Sequence, residues 1–510
     1  MTDVLAALLD ACRETPDAPA ISQGRITHTF GELHARIASI ASGLTQLRFS
    51  PRDRVLFSVR PNLDGIALAL GIIAAGGTVV FADPGAGEAM FRARAALAAP
   101  NWVAAESLLY LASSRPLRGI ARRRGLELPR YSAVVPDARH IHSGPWLPGV
   151  PRNAISLRSL VSGSSLSRPH PVEPHVDQHH EALIIFTSGT TDHPKAVVHS
   201  RASLGTGLAG FAARAKFAPG QRLLTDQLMI GIPALIAGAH WRLPLPGADP
   251  GAKPSAYLDA LPETDVLFMV PAALDALLRA PGSRAPDLQT LLIGGAPVLR
   301  PLLERVRERW PRTRVLAIYG MTEILPVAIA DAGEKLAFDG LGDYVGELLS
   351  PAAIVDGELV LSGPGLAIGY LGSEPLEKLE TGDLARIDGN RLVLLGRRKE
   401  MFIRGSTNVY PGLYEPVIAG LTGVAEVAMI GVPDGIGDDR IVLVVVPAAD
   451  APPAPTRRHP VLESVSAALP GLIDAAVMPD DYVAVPSLPK SGRSGKVDRS
   501  SVAELVEAYL

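Results

Sequence analysis

Short apolar runs rich in β-branched residues alternate with amphipathic helical patterns through the first three quarters of the chain. Residues 54–59 read as a strand, 63–75 as a helix and 78–81 as a second strand. Residues 183–186, 266–270, 291–293 and 314–318 repeat the strand signature, and helical patterns at 272–278 and 302–309 separate some of them. Such alternation predicts parallel α/β layers. Residues 162–180, rich in Ser, Pro and His and without periodicity, read as a loop between two layers. Beyond Asp356 the pattern shifts to short β segments with Gly turns, at 357–362 and 391–394. The last stretch holds strands at 424–431 and 441–446, a Pro-rich loop at 451–460 and a helix at 462–469. That composition predicts a small α+β domain beginning near residues 397–399.

A chain of 510 residues is long enough for two to four domains. Its 49 Lys and Arg against 52 Asp and Glu give a net charge of −3, so no overall basic footprint for nucleic acid or an anionic membrane exists. The run Arg122, Arg123, Arg124 reads as solvated surface. The most apolar stretch, 65–82, is broken by Gly76 and Gly77 and ends at Asp83-Pro84, so no integral membrane segment is expected. The one cysteine, Cys12, sits in a helical apolar pattern with Val4, Leu5, Leu8 and Leu9 and reads as a small core residue. A chain without an intrachain disulfide or a basic, signal-like N-terminus is expected in the cytoplasm. His170, His175, His179 and His180 match no standard metal spacing.

The chemistry-bearing signal begins where the apolar run 183–186 enters Thr187, Ser188, Gly189, Thr190, Thr191, Asp192, His193, Pro194 and Lys195. Successive backbone N–H groups, four hydroxyls and one ammonium suit a triphosphate, whose oxygens accept hydrogen bonds and carry several charges. No GxxxxGK[ST] Walker loop is present. This loop resembles the signature of the adenylate-forming superfamily of acyl-CoA synthetases, peptide-synthetase adenylation domains and luciferases. Further motifs of that superfamily follow in order, and the resemblance covers nearly the whole chain.

The resemblance implies an α/β fold with a large N-terminal domain of layered subdomains plus a small β-barrel-like part, residues 1–396. A small mobile α+β domain, residues 397–510, follows. It implies ATP and Mg²⁺ as cofactors, a carboxylic acid as substrate, and coenzyme A or a phosphopantetheine, including that of an acyl-carrier protein, as acceptor. Thr187 to Thr191 and Lys195 would cradle the phosphates. Gly294, Gly295, Ala296 and Pro297 would let adenine approach the backbone. In the segment Tyr319, Gly320, Met321, Thr322, Glu323, the tyrosine would stack on adenine, Thr322 would bond the α-phosphate region and Glu323 would hold Mg²⁺. Asp383, in Glu380-Thr381-Gly382-Asp383, would grip the ribose hydroxyls, and Arg397 would contact ribose and phosphate. Lys399 matches the hinge, and Gly405, in 404–411, matches the pantetheine tunnel. Lys496, in the loop 489–499, matches the catalytic lysine, a mobile point charge between carboxylate and α-phosphate. Weaker landmarks are Thr29 to Leu33 and Gly76-Gly77 before Asp83-Pro84.

Three departures bear on substrate and rate. Asp192 and Ala196 stand where the superfamily has glycines, and a carboxylate beside a triphosphate in a hydrated loop costs ~1 kcal/mol. The stretch 346–357 is short. The acid-site stretch 228–233 lacks the aromatic or His that many relatives carry. Asp83 to Gly87 and the run Ile324 to Val327 are similar to β-lactone synthetases of olefin biosynthesis, which close a β-hydroxy acid on itself, whereas 404–411 follow the thiol ligases. Acyl transfer to a thiol is therefore the expectation. Lactone closure and a catalytically impaired nucleotide-binding homologue are the alternatives.

Overall fold

The structure is a computed structural model that describes residues 3–114, 117, 128–162, 177–187, 195–248, 254–280, 287–404, 407–433, 439–470, 472–473, 477–491 and 496–509. The chain divides into two compact units. One holds Met1–Gly247, Met321–Pro326 and Ser362–Lys378; the other holds Ala248–Gly320, Val327–Leu361 and Leu379–Leu510.

In the first unit, eight strands form a sheet ordered Gly369–Tyr370, Lys195–Ser200, Glu181–Thr187, Thr78–Phe81, Arg54–Ser58, Trp102–Glu106, Arg139–Ser143 and Ile155–Ser156. The five from Thr78–Phe81 to Ile155–Ser156 are parallel to their neighbours, as the alternating pattern requires, and Thr78–Phe81 also pairs in parallel with Glu181–Thr187. The two strands at the Gly369–Tyr370 end turn antiparallel. Leu56, Val80, Val103 and Ile184 fill the core with Phe91 and Tyr131, all nearly inaccessible. The helix Leu63–Ala74 returns to Thr78–Phe81 through Gly76 and Gly77; a Cβ on Gly77 would lie 2.3 Å from the Phe49 ring, so the close approach needs glycine. Thr29 and Glu32 form a reciprocal capping box that starts the helix Phe30–Gln46, which gives that weak landmark a local structural job. Cys12 is 1% exposed in the helix Val4–Glu14, and burial pushes its thiol up to about 12.

In the second unit, Val266–Met269, Thr290–Gly294 and Arg314–Met321 are parallel. Next to Arg314–Met321 lies Ile324–Asp331, and the strands Asp343–Leu348, Arg391–Arg397, Lys378–Asp388, Glu358–Ser362 and Ala352–Val355 continue the row, with antiparallel pairings from Ile324–Asp331 through Asp343–Leu348, Arg391–Arg397 and Lys378–Asp388, and again between the last two. The C-terminal part is α+β: Val424–Pro433, Asp439–Pro447 and Asp481–Ala484 make a three-stranded sheet. Ile441, Leu443 and Val445 point to one face, against the helices Pro411–Ala419 and Pro460–Ala468. Val442, Val444 and Val446 point to the other, against Val502 and Val506 of the helix Arg499–Glu507. Period-two alternation thus buries both faces of one strand.

Among the described residues no helix is long and apolar enough to cross a membrane. No cluster of three metal-ligating side chains occurs among them either. His170 and His175 lie outside the described residues, as do Arg122 to Arg124.

Candidate active site

In the first unit the phosphate-loop stems are strands in register, with Thr187 directly opposite Lys195. The chain therefore delivers the first hydroxyl and the ammonium to neighbouring positions. Ser188, Gly189, Thr190 and Thr191, and with them Asp192, lie outside the described residues.

The segment carrying Thr322 and Glu323 is clamped by backbone and side chain within this unit. His199, buried on the strand that starts at Lys195, bonds the Thr322 carbonyl through Nε2 at 2.7 Å. A carbonyl only accepts, so Nε2 carries the proton. Burial lowers the basicity of that imidazole and keeps it neutral. The Glu323 carbonyl accepts from the Ala367 N–H at 2.8 Å. The Tyr370 hydroxyl donates to Glu323 Oε1 at 2.8 Å. On the far side of the hairpin, a Cβ on Gly207 would lie 2.6 Å from the Leu325 carbonyl oxygen, so the helix Arg201–Ala215 meets this segment at a glycine.

The second unit gathers three of the expected residues around one carboxylate. Asp383 and Arg397 face each other across the strands Lys378–Asp388 and Arg391–Arg397. Arg397 Nε donates to Asp383 Oδ1 at 2.7 Å, and the Tyr319 hydroxyl donates to Oδ2 at 2.6 Å. Asp383 is thereby 5% exposed at its side chain while Arg397 remains half exposed. Burial, reinforced by the Asp383 charge, raises the Tyr319 phenol well above its ordinary range, so it stays a donor. Gly382, with φ of +74°, turns the backbone just before Asp383, and its N–H donates to Glu358 Oε1 at 2.7 Å.

Gly294 pairs with Ile318 in the parallel strands, which places Gly295 and Tyr319 as the next residues at adjacent strand ends. Gly295 has φ of +85° and is exposed together with Pro297, while Ala296 is half-buried. The pair forms an open, side-chain-poor edge beside a tyrosine, a geometry suited to a flat base.

Lys496 is exposed and opens a two-residue strand paired with Lys490–Ser491. Lys490 is engaged by Glu426 at 2.9 Å. Lys399 sits in the turn Arg398–Glu400. Gly405 lies outside the described residues. Gly320 and Met321 end the strand Arg314–Met321, with Gly320 exposed. Sequence reasoning missed His199 and Tyr370. Their partners, Thr322 and Glu323, lie in the connection between Arg314–Met321 and Ile324–Asp331, remote in sequence, and only the position of His199 four residues after Lys195, on the same β run, could have drawn attention to it.

The chain is similar to known proteins over most of its length. The family model described as AMP-binding enzyme matches residues 8–371, and the one described as AMP-binding enzyme C-terminal domain matches 414–496. A feruloyl-CoA synthase of Amycolatopsis sp is 27% identical over 477 residues, covering 86% of this chain and 87% of that protein. An indoleacetate–CoA ligase of Aromatoleum aromaticum is 29% identical, covering 70% of this chain and 73% of its own. Crystal structures of apo MatB from Rhodopseudomonas palustris (TM-score 0.77, 23% identity, all of both chains) and of the amide bond synthetase McbA from Marinactinospora thermotolerans (TM-score 0.77, 22% identity, 98% of both) share the fold. Mixed α/β architecture, with a large N-terminal and a small C-terminal part, is common to them. The chain belongs to the AMP-binding enzyme family, the adenylate-forming superfamily of acyl-CoA synthetase-like enzymes.

Proposed function

We propose that this enzyme activates an apolar carboxylic acid with ATP and transfers the acyl group to the thiol of coenzyme A. The acid's carboxylate oxygen attacks the α-phosphorus, the bond to the β-phosphate oxygen breaks, and pyrophosphate leaves. The thiol sulfur then attacks the acyl carbon, AMP departs with the bonding electron pair, and the thiol proton passes to solvent. The observation that carries this reading is the buried Asp383 carboxylate, held by Tyr319 and Arg397 beside the Gly294-Gly295 edge, in a chain matched by both family models. There Asp383 would take the ribose hydroxyls, Tyr319 would face adenine and Arg397 would serve ribose and phosphate. Thr187 and Lys195 would hold the phosphates with Ser188 to Thr191, and Lys496 would stabilise charge developing at the α-phosphate.

Mg²⁺ is usually held by one or two carboxylates plus substrate phosphates, so Glu323, in no cluster of three metal-ligating side chains among the described residues, fits an ion that arrives with ATP. When bound it would neutralise phosphate charge. Residues 397–510 would rotate about Lys399 between the half-reactions, and unchanged thioester formation in Lys399→Pro would count against that motion.

Relatives named for feruloyl and indoleacetate substrates support testing ring-bearing acids beside fatty acids. Pyrophosphate release across such acids, with and without coenzyme A, tests the function. Acyl-CoA formed only when coenzyme A is present is the expected result. A β-lactone from a 3-hydroxy acid without coenzyme A, or ATP binding with no acid-dependent pyrophosphate, would overturn it.

A further inference from the structure

Tyr370 lies outside the motifs read in the sequence above, yet it joins two of the expected site residues within one unit. Its two-residue strand, Gly369–Tyr370, pairs antiparallel with Lys195–Ser200, with Tyr370 opposite Val197. Backbone bonds from Ile368 to the Val198 carbonyl and from Leu371 to the Ala196 carbonyl, each 2.8 Å, lock that register. The ring is therefore placed two residues from Lys195, whose ammonium lies 5.3 Å from the ring centre, within reach of its negative face. The hydroxyl reaches in the other direction and donates to Glu323 Oε1 at 2.8 Å. The Ala367 N–H, three residues before Tyr370, holds the Glu323 backbone, so one short segment fixes both ends of that residue.

We propose that Tyr370 is a positioning residue for Glu323: it holds the carboxylate in the orientation that receives the divalent cation accompanying ATP, and it ties that orientation to Lys195. This rests on the acid-activation reading, in which Glu323 serves the metal. A glutamate has three rotatable side-chain bonds, and an anchored one loses less freedom when it takes up a ligand. Tyr370 thus acts on the metal-dependent part of nucleotide binding.

The test is calorimetric titration of the enzyme with α,β-methylene-ATP across Mg²⁺ concentrations, with each variant's affinity in EDTA as its own baseline. Tyr370→Phe keeps the ring over Lys195 and removes only the hydroxyl; Tyr370→Leu removes both. Thermal melting reports on folding independently. The Mg²⁺ concentration for half-maximal enhancement should rise about 10-fold or more in Tyr370→Phe, the scale of losing one hydrogen bond to a charged group. In a Glu323→Gln background, adding Tyr370→Phe should shift it no further. A Tyr370→Phe enzyme with Mg²⁺ dependence within about twofold of wild type, or fully additive effects in the double variant, would overturn the proposal. Wild-type protein that binds no nucleotide at all would instead overturn the acid-activation reading.

Discussion

Replacing Asp383 by Asn separates the structural task of this residue from its expected role in nucleotide binding. The carboxylate accepts from Arg397 on Oδ1 and from Tyr319 on Oδ2. An amide has one acceptor oxygen, and guanidinium can only donate, so Oδ1 must stay with Arg397. The amide nitrogen then faces Tyr319, whose oxygen can accept but whose proton loses its partner. Exchanging a charge-assisted bond for a neutral one costs roughly 1 kcal/mol, reduced because Arg397 is 49% exposed at its side chain. A stability loss of about 0.5–1.5 kcal/mol is expected. The effect on ATP is larger. A carboxylate accepts from both ribose hydroxyls, whereas the amide oxygen, already engaged by Arg397, accepts from one at most, and a lost bond to a charged group is worth about 1.5–3 kcal/mol. That corresponds to roughly 10- to 150-fold weaker ATP binding. Calorimetric titration with ATP, alongside thermal melting, measures both quantities. An affinity within threefold of wild type, in a protein that melts normally, would refute the assignment of Asp383 to the ribose.

Lys496→Ala should slow acid-dependent ATP–pyrophosphate exchange about 100-fold or more, the scale of losing one charge-stabilising donor, with the melting temperature unchanged because the side chain is exposed. Unchanged exchange would remove Lys496 from the chemistry. Gly346→Ala should destabilise the second unit by more than about 3 kcal/mol, since φ is +108° and a Cβ would lie 2.0 Å from the Ile329 carbonyl carbon; denaturant unfolding followed by intrinsic fluorescence is the measurement. The buried Cys12 thiol, raised from an ordinary 9.0 to about 12, stays protonated in the native state while the unfolded thiol ionises. Its contribution to stability is intact below pH 9.0 and is lost as pH rises toward about 12, at ~1.4 kcal/mol per pH unit. The stability difference between wild type and Cys12→Ala, measured from pH 8 to 10.5, should show that slope, and native protein should resist alkylation at pH 8.

The strands that build the parallel layers were legible because their burial is written as uninterrupted apolar residues. Arg54–Ser58, Thr78–Phe81 and Thr290–Gly294 all end within one residue of the expected runs. The strand that carries Asp383 was not. Lys378–Asp388 opens with Lys, Leu, Glu, Thr and Gly, exposes the Lys and the Glu, and reads as a turn until its pairing with Arg391–Arg397 is seen. The helix Arg201–Ala215 contains Gly205, Gly207 and Gly210, which weaken its local signal; packing overrides propensity there, and at Gly207 the approach of Leu325 explains why. Among site residues, those in contiguous motifs were readable one by one. Which of them meet was not, because Tyr319 lies 64 residues from Asp383 and on a strand that does not neighbour it. His199 and Tyr370 reach partners 123 and 47 residues away, and only the nearness of His199 to Lys195 offered a pattern to find.

The doubly covered strand Asp439–Pro447 has a consequence for how this chain can change over generations. Most surface strands offer every second position to solvent, where drift is nearly silent. Residues 441–446 offer none, since Ile441, Leu443 and Val445 are enclosed on one side and Val442, Val444 and Val446 on the other. Tolerated variation there is confined to swaps among aliphatic residues of similar volume, each coupled to helix positions on its own side. The part of the chain that presents Lys496 is therefore mutationally stiff at its centre and free at its rim. Selection for a new acid or acceptor would find its raw material in the exposed turns, not in this sheet.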